Sequence, residues 1–365
     1  MRAFVCAVVA AIGLAAHPAF AADRAAASYW KTVQATCDAA AAKPPGELGQ
    51  RIARTAIGEF NSFGGHRIDA NGRLFHFGLT EAEHEEDDGG NAQASLGHLG
   101  WWQVMKYWRS LFDNEPTDKL EVRGYGDAST LTDEAHAAAL LRTSAARLMQ
   151  AAESETDPAI REVLREAALR AAVIDTSWSA AFISYVVKQS GVTANAFKFS
   201  NAHRLYIYDA FAASAAEPAN TAGERLYRAC PLTTTKPRLG DLICQQREPA
   251  LAGVSAETVR ERIRTELDGG TDARTIRRTH CEVVAHVDAR ARKVYTIGGN
   301  VNQAVSARKL NLRRGLKLRA EQKGHCGGPS QWTLPQPSGQ VTHAPGHAEK
   351  CSLNDKKWFV LLQLR

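Results

Sequence analysis

The chain has 365 residues, enough for one large domain or two modest ones. Its formal net charge of +6 is mild and spread along the chain, which does not require a nucleic-acid partner. We therefore expect no nucleic acid among the partners of this protein.

The first 21 residues predict a secretory signal peptide. One early arginine precedes an apolar run from Ala3 to Ala16, and Ala19-Phe20-Ala21 forms a small-residue cleavage site. The apolar run is too short for a convincing membrane span, so an uncleaved anchor is the weaker alternative. We predict cleavage after Ala21, no membrane span in the mature chain, and a periplasmic or secreted protein.

Cysteine usage agrees with an oxidising compartment. Cys6 leaves with the signal peptide, and an even number of cysteines remains, which indicates disulfides. Cys244 ends one predicted strand and Cys281 begins another, which favours this pair, and two later cysteines bracket the tail and could staple it. The sequence contains no C-x-x-C pair, the spacing that would suggest a metal site. The pairing stays open among Cys37, Cys230, Cys244, Cys281, Cys326 and Cys351.

Periodicity in the first half is mainly helical. Helical spacing predicts helices over 47–65, 99–112, 132–153 and 157–172, and Asn71-Gly72 predicts a short hairpin after the first of them. The aromatic face of the 99–112 helix, with Trp101, Met105, Trp108 and Phe112, is typical of a core, with the wall of a groove as the alternative.

The acidic run "EAEHEEDDGGN", residues 81–91, is predicted to be a solvated loop. His84 among its carboxylates is the only feature that favours a metal site there. We therefore predict neither a metal nor a cofactor.

The second half contains strands. Strands are predicted near 241–244, 281–288 and 293–298, and the chain ends in an apolar, strand-like "KWFVLLQLR". Helices followed by strands favour an α+β fold over alternating βαβ units. The predicted segments are 1–21 (signal peptide), 22–46 (Ala-rich helix and linker), 47–172 (helical N-terminal region), 173–320 (core) and 321–365 (Gly/Pro-rich C-terminal extension).

Four short pieces of the second half suggest chemistry. "DTSWSAAFISYVV" places Ser179 at a helix start, where amide N–H groups favour a developing anion. "KPRLGDLIC" has the form P-x-x-G-D-L, "RTHCEVV" places His280 at the head of a strand, and "TIGGNV" places Asn300 after the next strand. A nucleophile, a base and an orienting amide are the parts of a triad. Taken singly, the three residues are ordinary: a helix-capping serine, a strand-end histidine and a turn asparagine.

Three further residues are candidate substrate contacts. Trp178 precedes the serine, and "FSNAHRLYIYDAF" contributes His203 and Tyr206. The alternative for His203 is a packed histidine before a helix. Cys281 is not a candidate nucleophile, because neighbouring side chains on a strand point to opposite faces.

The four pieces, in this order, resemble the CHAP and NlpC-type amidohydrolase/peptidase domains. More closely they resemble an uncharacterised bacterial family, domain of unknown function 2272, over roughly residues 50–320. The resemblance implies a papain-like core over 173–320 that cuts amide bonds in peptidoglycan, with Ser179, His280 and Asn300 in the catalytic roles. Serine stands where the larger class has cysteine; its hydroxyl is not pre-ionised, so it needs a general base.

Three functions follow from this reading. The first is an exported hydrolase of cell-wall amide bonds that uses a Ser-His-Asn constellation. The second is a catalytically inactive papain-like module that binds peptidoglycan or a protein partner, and the third is an esterase or acyl transferase. As a groove residue, His280 is expected to be only partly buried.

Overall fold

The structure is a computed structural model that describes residues 18–82, 100–112, 116–125, 140–270, 275–322 and 353–365. These ranges contain eight α-helices, an eight-stranded mixed sheet and a separate two-stranded ribbon. The predicted α+β class is therefore confirmed.

The helices begin where local sequence satisfies their free amides. Asp157 accepts hydrogen bonds from Ala159 and Ile160 at one helix start, with proline as the first helical residue, and Ser255 caps another. The helices are α1 (Pro18–Ala41), α2 (Glu47–Ser62), α3 (Gly100–Leu111), α4 (Ala145–Ala152), α5 (Pro158–Asp175), α6 (Ser179–Gln189), α7 (His203–Ala216) and α8 (Ala256–Asp268).

The large sheet has the order β2-β1-β9-β8-β7-β6-β10-β5, and all its neighbouring strands are antiparallel except β1 and β9. The ribbon pairs β3 with β4. The strands are β1 (His66–Ile68), β2 (Leu74–His76), β3 (Glu121–Tyr125), β4 (Leu140–Ser144), β5 (Tyr227–Pro231), β6 (Leu242–Gln246), β7 (Thr279–Asp288), β8 (Lys293–Val301), β9 (Ala304–Asn311) and β10 (Lys357–Leu364).

Most predicted elements are confirmed within a few residues, including the hairpin at Asn71-Gly72 and the three strands of the second half. The helix predicted over 132–153 is wrong in its middle, because residues 140–144 pair with β3 as a strand and Ser144 then caps α4. Residues 131–139 lie outside the described ranges. β10, the apolar C-terminal strand, lies inside the sheet between β6 and β5.

The helices bury their apolar faces against one another and against the sheet. Trp101, Met105 and Trp108 of α3 are at most 3% exposed and join a cluster that includes Trp178 and Phe182 of α6. The aromatic face of α3 is therefore core.

Two disulfides are formed in the described part of the chain. Cys244 and Cys281 are direct neighbours on β6 and β7, and their bond confirms the pair favoured from sequence. Cys37 and Cys230 join α1 to β5. The predicted disulfide between Cys326 and Cys351 lies outside the described residues, as does His84.

Among the described helices, none is both long enough and apolar enough to cross a bilayer.

Candidate active site at the start of helix α6

Ser179 is the first residue of α6. The N-cap position is taken by Trp178, whose side chain makes no capping hydrogen bond. The first amides of a helix have no acceptor within the helix and carry the positive end of its dipole. Ser179 is half-buried, and its hydroxyl makes a hydrogen bond to another helix instead of capping its own.

The partner of Ser179 is His203, the first residue of α7. Ser179 Oγ lies 2.7 Å from His203 Nε2, and the imidazole is only 4% exposed. The sequence predicted this contact for His280 and assigned His203 to substrate binding. In the structure, the imidazole that touches the serine is the one on the helix.

His203 is held as a neutral imidazole. Burial lowers its pKa well below the usual 6.5, and the neighbouring His280 and Arg247 lower it further. A neutral ring accepts a proton at one nitrogen and donates from the other. His203 therefore has the charge state that a general base requires.

Tyr206 contacts the other nitrogen of this ring. Its hydroxyl is in short hydrogen-bond contact with His203 Nδ1, and burial raises the pKa of Tyr206 well above 10, so the phenol is protonated. If Nδ1–H donates to the phenol oxygen, then Nε2 accepts the proton of Ser179. If the phenol donates to Nδ1, then Nε2–H donates to Ser179, and the ring is not poised as a base.

His280 lies beside this pair but is fully buried. Its ring centroid is 5.3 Å from that of His203, in an edge-to-face arrangement. Its exposed fraction is 0%, so the expectation of partial burial is wrong. The cause is close packing by β8: a Cβ at Gly298 would lie 3.0 Å from His280 Nε2 and 2.8 Å from Glu282 Cγ.

Glu282 anchors His280 from the same face of β7. Glu282 Oε1 lies 3.3 Å from His280 Nε2 and accepts from Arg308 Nε at 2.7 Å, while Thr296 Oγ1 donates to Oε2 at 2.6 Å. Burial alone would raise the pKa of Glu282, but Arg308, His280 and Thr296 together lower it to about 2. Glu282 is thus an ionised carboxylate in the interior.

Asn300 follows the paired glycines on β8. It is half-buried and has a φ of 52°, a left-handed conformation that asparagine tolerates. A Cβ at Gly299 would lie 2.5 Å from Phe182 Cβ and 2.6 Å from the ring of Trp178. The "GGN" segment thus lets the first turn of α6 approach the sheet closely. The orienting role of Asn300 stays a prediction.

Trp178 and Tyr206 are also buried, with exposed fractions of 0% and 1%. Trp178 Nε1 donates a short hydrogen bond to Glu81 Oε2. Burial raises the pKa of Glu81 to about 7, and the hydrogen bond from Trp178 only partly opposes this rise. The substrate-binding role of Trp178 and Tyr206 stays a prediction.

Two residues of this region were missed from sequence. Glu81 was assigned to a solvated acidic loop, yet its side chain is 2% exposed. Glu282 carried one usable signal, because its H-x-E spacing from His280 places both side chains on one face of a strand. The described residues contain no group of three or more His, Cys, Asp or Glu side chains arranged to hold a metal ion.

The fold and site define an α+β protein with a serine–histidine pair at the start of a buried helix. The model of a family described as uncharacterized protein conserved in bacteria (DUF2272) matches residues 97–364. The match covers more than half of the chain, so the chain belongs to this family, as its four sequence pieces predicted. No curated protein and no solved structure matches the chain.

Proposed function

We propose that this protein is an exported, papain-like hydrolase that cuts amide bonds of cell-wall peptides, with Ser179 as the nucleophile. One observation carries the proposal: the hydroxyl of Ser179, at the first turn of a buried helix, is 2.7 Å from the Nε2 of a neutral imidazole. His203 takes the role of general base that the sequence analysis predicted for His280. The two disulfides support an oxidising compartment, periplasmic or extracellular.

The chemistry follows from these groups. Ser179 Oγ attacks the carbonyl carbon while its proton passes to His203 Nε2. The oxygen of the tetrahedral intermediate takes the negative charge, and the first amides of α6 favour an anion at that end of the helix. The imidazolium then gives its proton to the leaving amine, and water hydrolyses the acyl-serine by the reverse sequence of proton transfers.

The direct test is labelling of the full chain with a fluorophosphonate, which reacts with activated serines. We expect stoichiometric labelling that Ser179→Ala abolishes, while Ser177→Ala, at an exposed serine two residues away, leaves it unchanged. His203→Ala should slow labelling by about 10²–10⁴-fold, the usual contribution of a general base. Labelling that persists in Ser179→Ala would refute the proposal.

Substrate assays separate amide from ester cleavage. Release of new amino groups from purified cell-wall peptides is expected from the wild type and not from Ser179→Ala. Turnover of simple esters without amide cleavage would favour an esterase or acyl transferase instead.

A second function is a catalytically inactive module that binds peptidoglycan or a protein partner. The observation that favours it is the Tyr206 contact: a phenol that donates to Nδ1 keeps the proton on Nε2, facing Ser179. This function predicts no fluorophosphonate labelling together with retained binding to purified cell wall.

A further inference from the structure

The hydrogen-bond ladder between β6 and β7 ends at two arginines, Arg247 and Arg278. Gln245 is paired with His280, and the next residues continue the register. The amide of Arg247 donates to the carbonyl of Arg278 at 2.7 Å, so these two arginines face each other one step beyond the Gln246–Thr279 pair. Alternation along β6 places the Arg247 side chain on the face that carries Gln245, and the facing Arg278 lies in the bend just before β7.

Two like charges directly opposite each other destabilise a strand pair unless something neutralises them. Both arginines are exposed. Within the described part of the chain, neither guanidinium takes part in a side-chain hydrogen bond or an ion pair. The nearby carboxylate of Glu248 is already engaged, because its Oε1 accepts from the backbone amides of Arg277 and Arg278.

A buried donor without an acceptor lies behind the two arginines. Gln245 is 1% exposed, and its Nε2 has no hydrogen-bond partner among the described residues. A buried donor left without an acceptor is destabilising, so the amide of Gln245 points to an acceptor that arrives with a ligand.

This group of donors lies next to the candidate active site. The His280 ring is 5.3 Å from the ring of His203, which holds Ser179. Arg247 lies close enough to act on the charge states of both histidines and of Lys356. Glu282, the ionised carboxylate beside His280, is already bound by Arg308 and Thr296.

We propose that Arg247 and Arg278, backed by the side-chain amide of Gln245, bind a carboxylate of the acyl substrate next to the bond that Ser179 cleaves. The proposal rests on the proposed function and narrows it to acidic peptides that carry a free carboxylate beside the scissile amide. A guanidinium fork matches the two oxygens of a carboxylate, which makes arginine the suitable residue for this recognition.

The test compares binding of acetyl-Ala-Ala and of its C-terminal amide to the full chain by calorimetry. We expect the acid to bind at least about tenfold more tightly, since only the acid can form charge-assisted hydrogen bonds with the guanidinium groups. Arg247→Gln and Arg278→Gln should each remove most of that difference. Arg277→Gln is the matched control, because this exposed arginine is not the residue that pairs with Arg247 in the ladder.

Three results would overturn the carboxylate site: equal affinity for acid and amide, an equal loss in Arg277→Gln, or inorganic phosphate that displaces the acid at equal concentration. The last result would mean a general oxyanion site. Far-UV circular dichroism of each variant shows whether it is folded, and fluorophosphonate labelling of the same samples reports on Ser179 separately. Acid preference without labelling would refute hydrolysis alone, whereas labelling without acid preference would refute the carboxylate site alone.

Discussion

Two buried glutamates flank the serine–histidine pair, and their pKa values move in opposite directions. Glu282 touches Arg308, Thr296 and His280, and its pKa is lowered to about 2. Glu81 has the indole of Trp178 as its side-chain partner, and its pKa is raised to about 7. Both side chains are at most 2% exposed, so burial acts on both of them. The difference between their pKa values therefore comes from the number and charge of their partners.

The difference assigns distinct roles to the two sides of the site. On the β7 side, a permanent negative charge fixes His280 and Arg308 and does not change over the physiological pH range. On the α6 side, Trp178 precedes Ser179 and donates its indole N–H to Glu81, whose pKa is about 7. The first arrangement stabilises the sheet, whereas the second makes the start of α6 sensitive to pH.

The largest effect is expected from Glu282→Gln. This change leaves the Arg308 guanidinium buried without its counter-charge, which typically costs about 3–5 kcal/mol. Urea unfolding at pH 7 measures the loss. Glu257→Gln, at an exposed partner of Arg260, is the control and should change stability by less than about 1 kcal/mol. A loss below about 1 kcal/mol in Glu282→Gln would show that the network is not a stabilising unit.

The pH dependence of this contribution has a definite sign. The pKa of Glu282 is lower in the folded state than the usual 4.5, so its stabilisation is complete above that value. It should be lost as the pH falls from about 4.5 toward 2, and the gap between wild type and Glu282→Gln should close over that window.

Glu81→Gln should change the free energy of unfolding in the opposite direction, by raising it. The pKa of Glu81 is higher in the folded state, so its ionisation destabilises the wild type as the pH rises from 4.5 through about 7. A rise from 4.5 to about 7 corresponds to about 3 kcal/mol. We expect Glu81→Gln to equal the wild type at pH 4 and to exceed it by up to this amount at pH 8.

Thermal unfolding over this pH range tests the Glu81 prediction. Glutamine keeps an oxygen that accepts from Trp178, so the packing is retained. Parallel stability curves for wild type and Glu81→Gln would mean that Glu81 does not titrate in this range.

Tyr206→Phe should have the smallest effect, and its direction distinguishes the two proposed functions. If His203 Nδ1–H donates to the phenol, the change removes an orienting partner and should slow fluorophosphonate labelling about tenfold, the value of one hydrogen bond. If the phenol donates to Nδ1, the change frees the other tautomer and labelling should increase. Tyr208→Phe, whose hydroxyl contacts Glu266 instead, is the control.

Local sequence patterns predicted the positions of individual site residues better than the contacts between those residues. The start of α6 at Ser179 follows from a polar turn before a helical apolar pattern. The Cys244–Cys281 disulfide follows from two strand segments that pair directly. The spacing of His203 and Tyr206, three residues apart at a helix start, was a signal for their contact, because such residues lie on the same helical face.

Contacts between distant segments were beyond the reach of such patterns. His203 and His280 are both histidines at the start of an element, and no local rule says which one reaches Ser179. The burial of His280 depends on Gly298 of the neighbouring strand, and the burial of Glu81 depends on Trp178, almost a hundred residues later.

The sequence by itself determined the α+β class, the family, the position of Ser179 at a helix start and one of the two disulfides. Periodicity and turn residues act over a few neighbours, so they specify elements and their ends. Only the tertiary structure decided that His203 holds the serine, that β10 lies between β5 and β6, and that Glu282 is ionised while Glu81 titrates. These features depend on which side chains meet after the chain has folded, because hydrogen bonding and burial are set by the whole environment of a group.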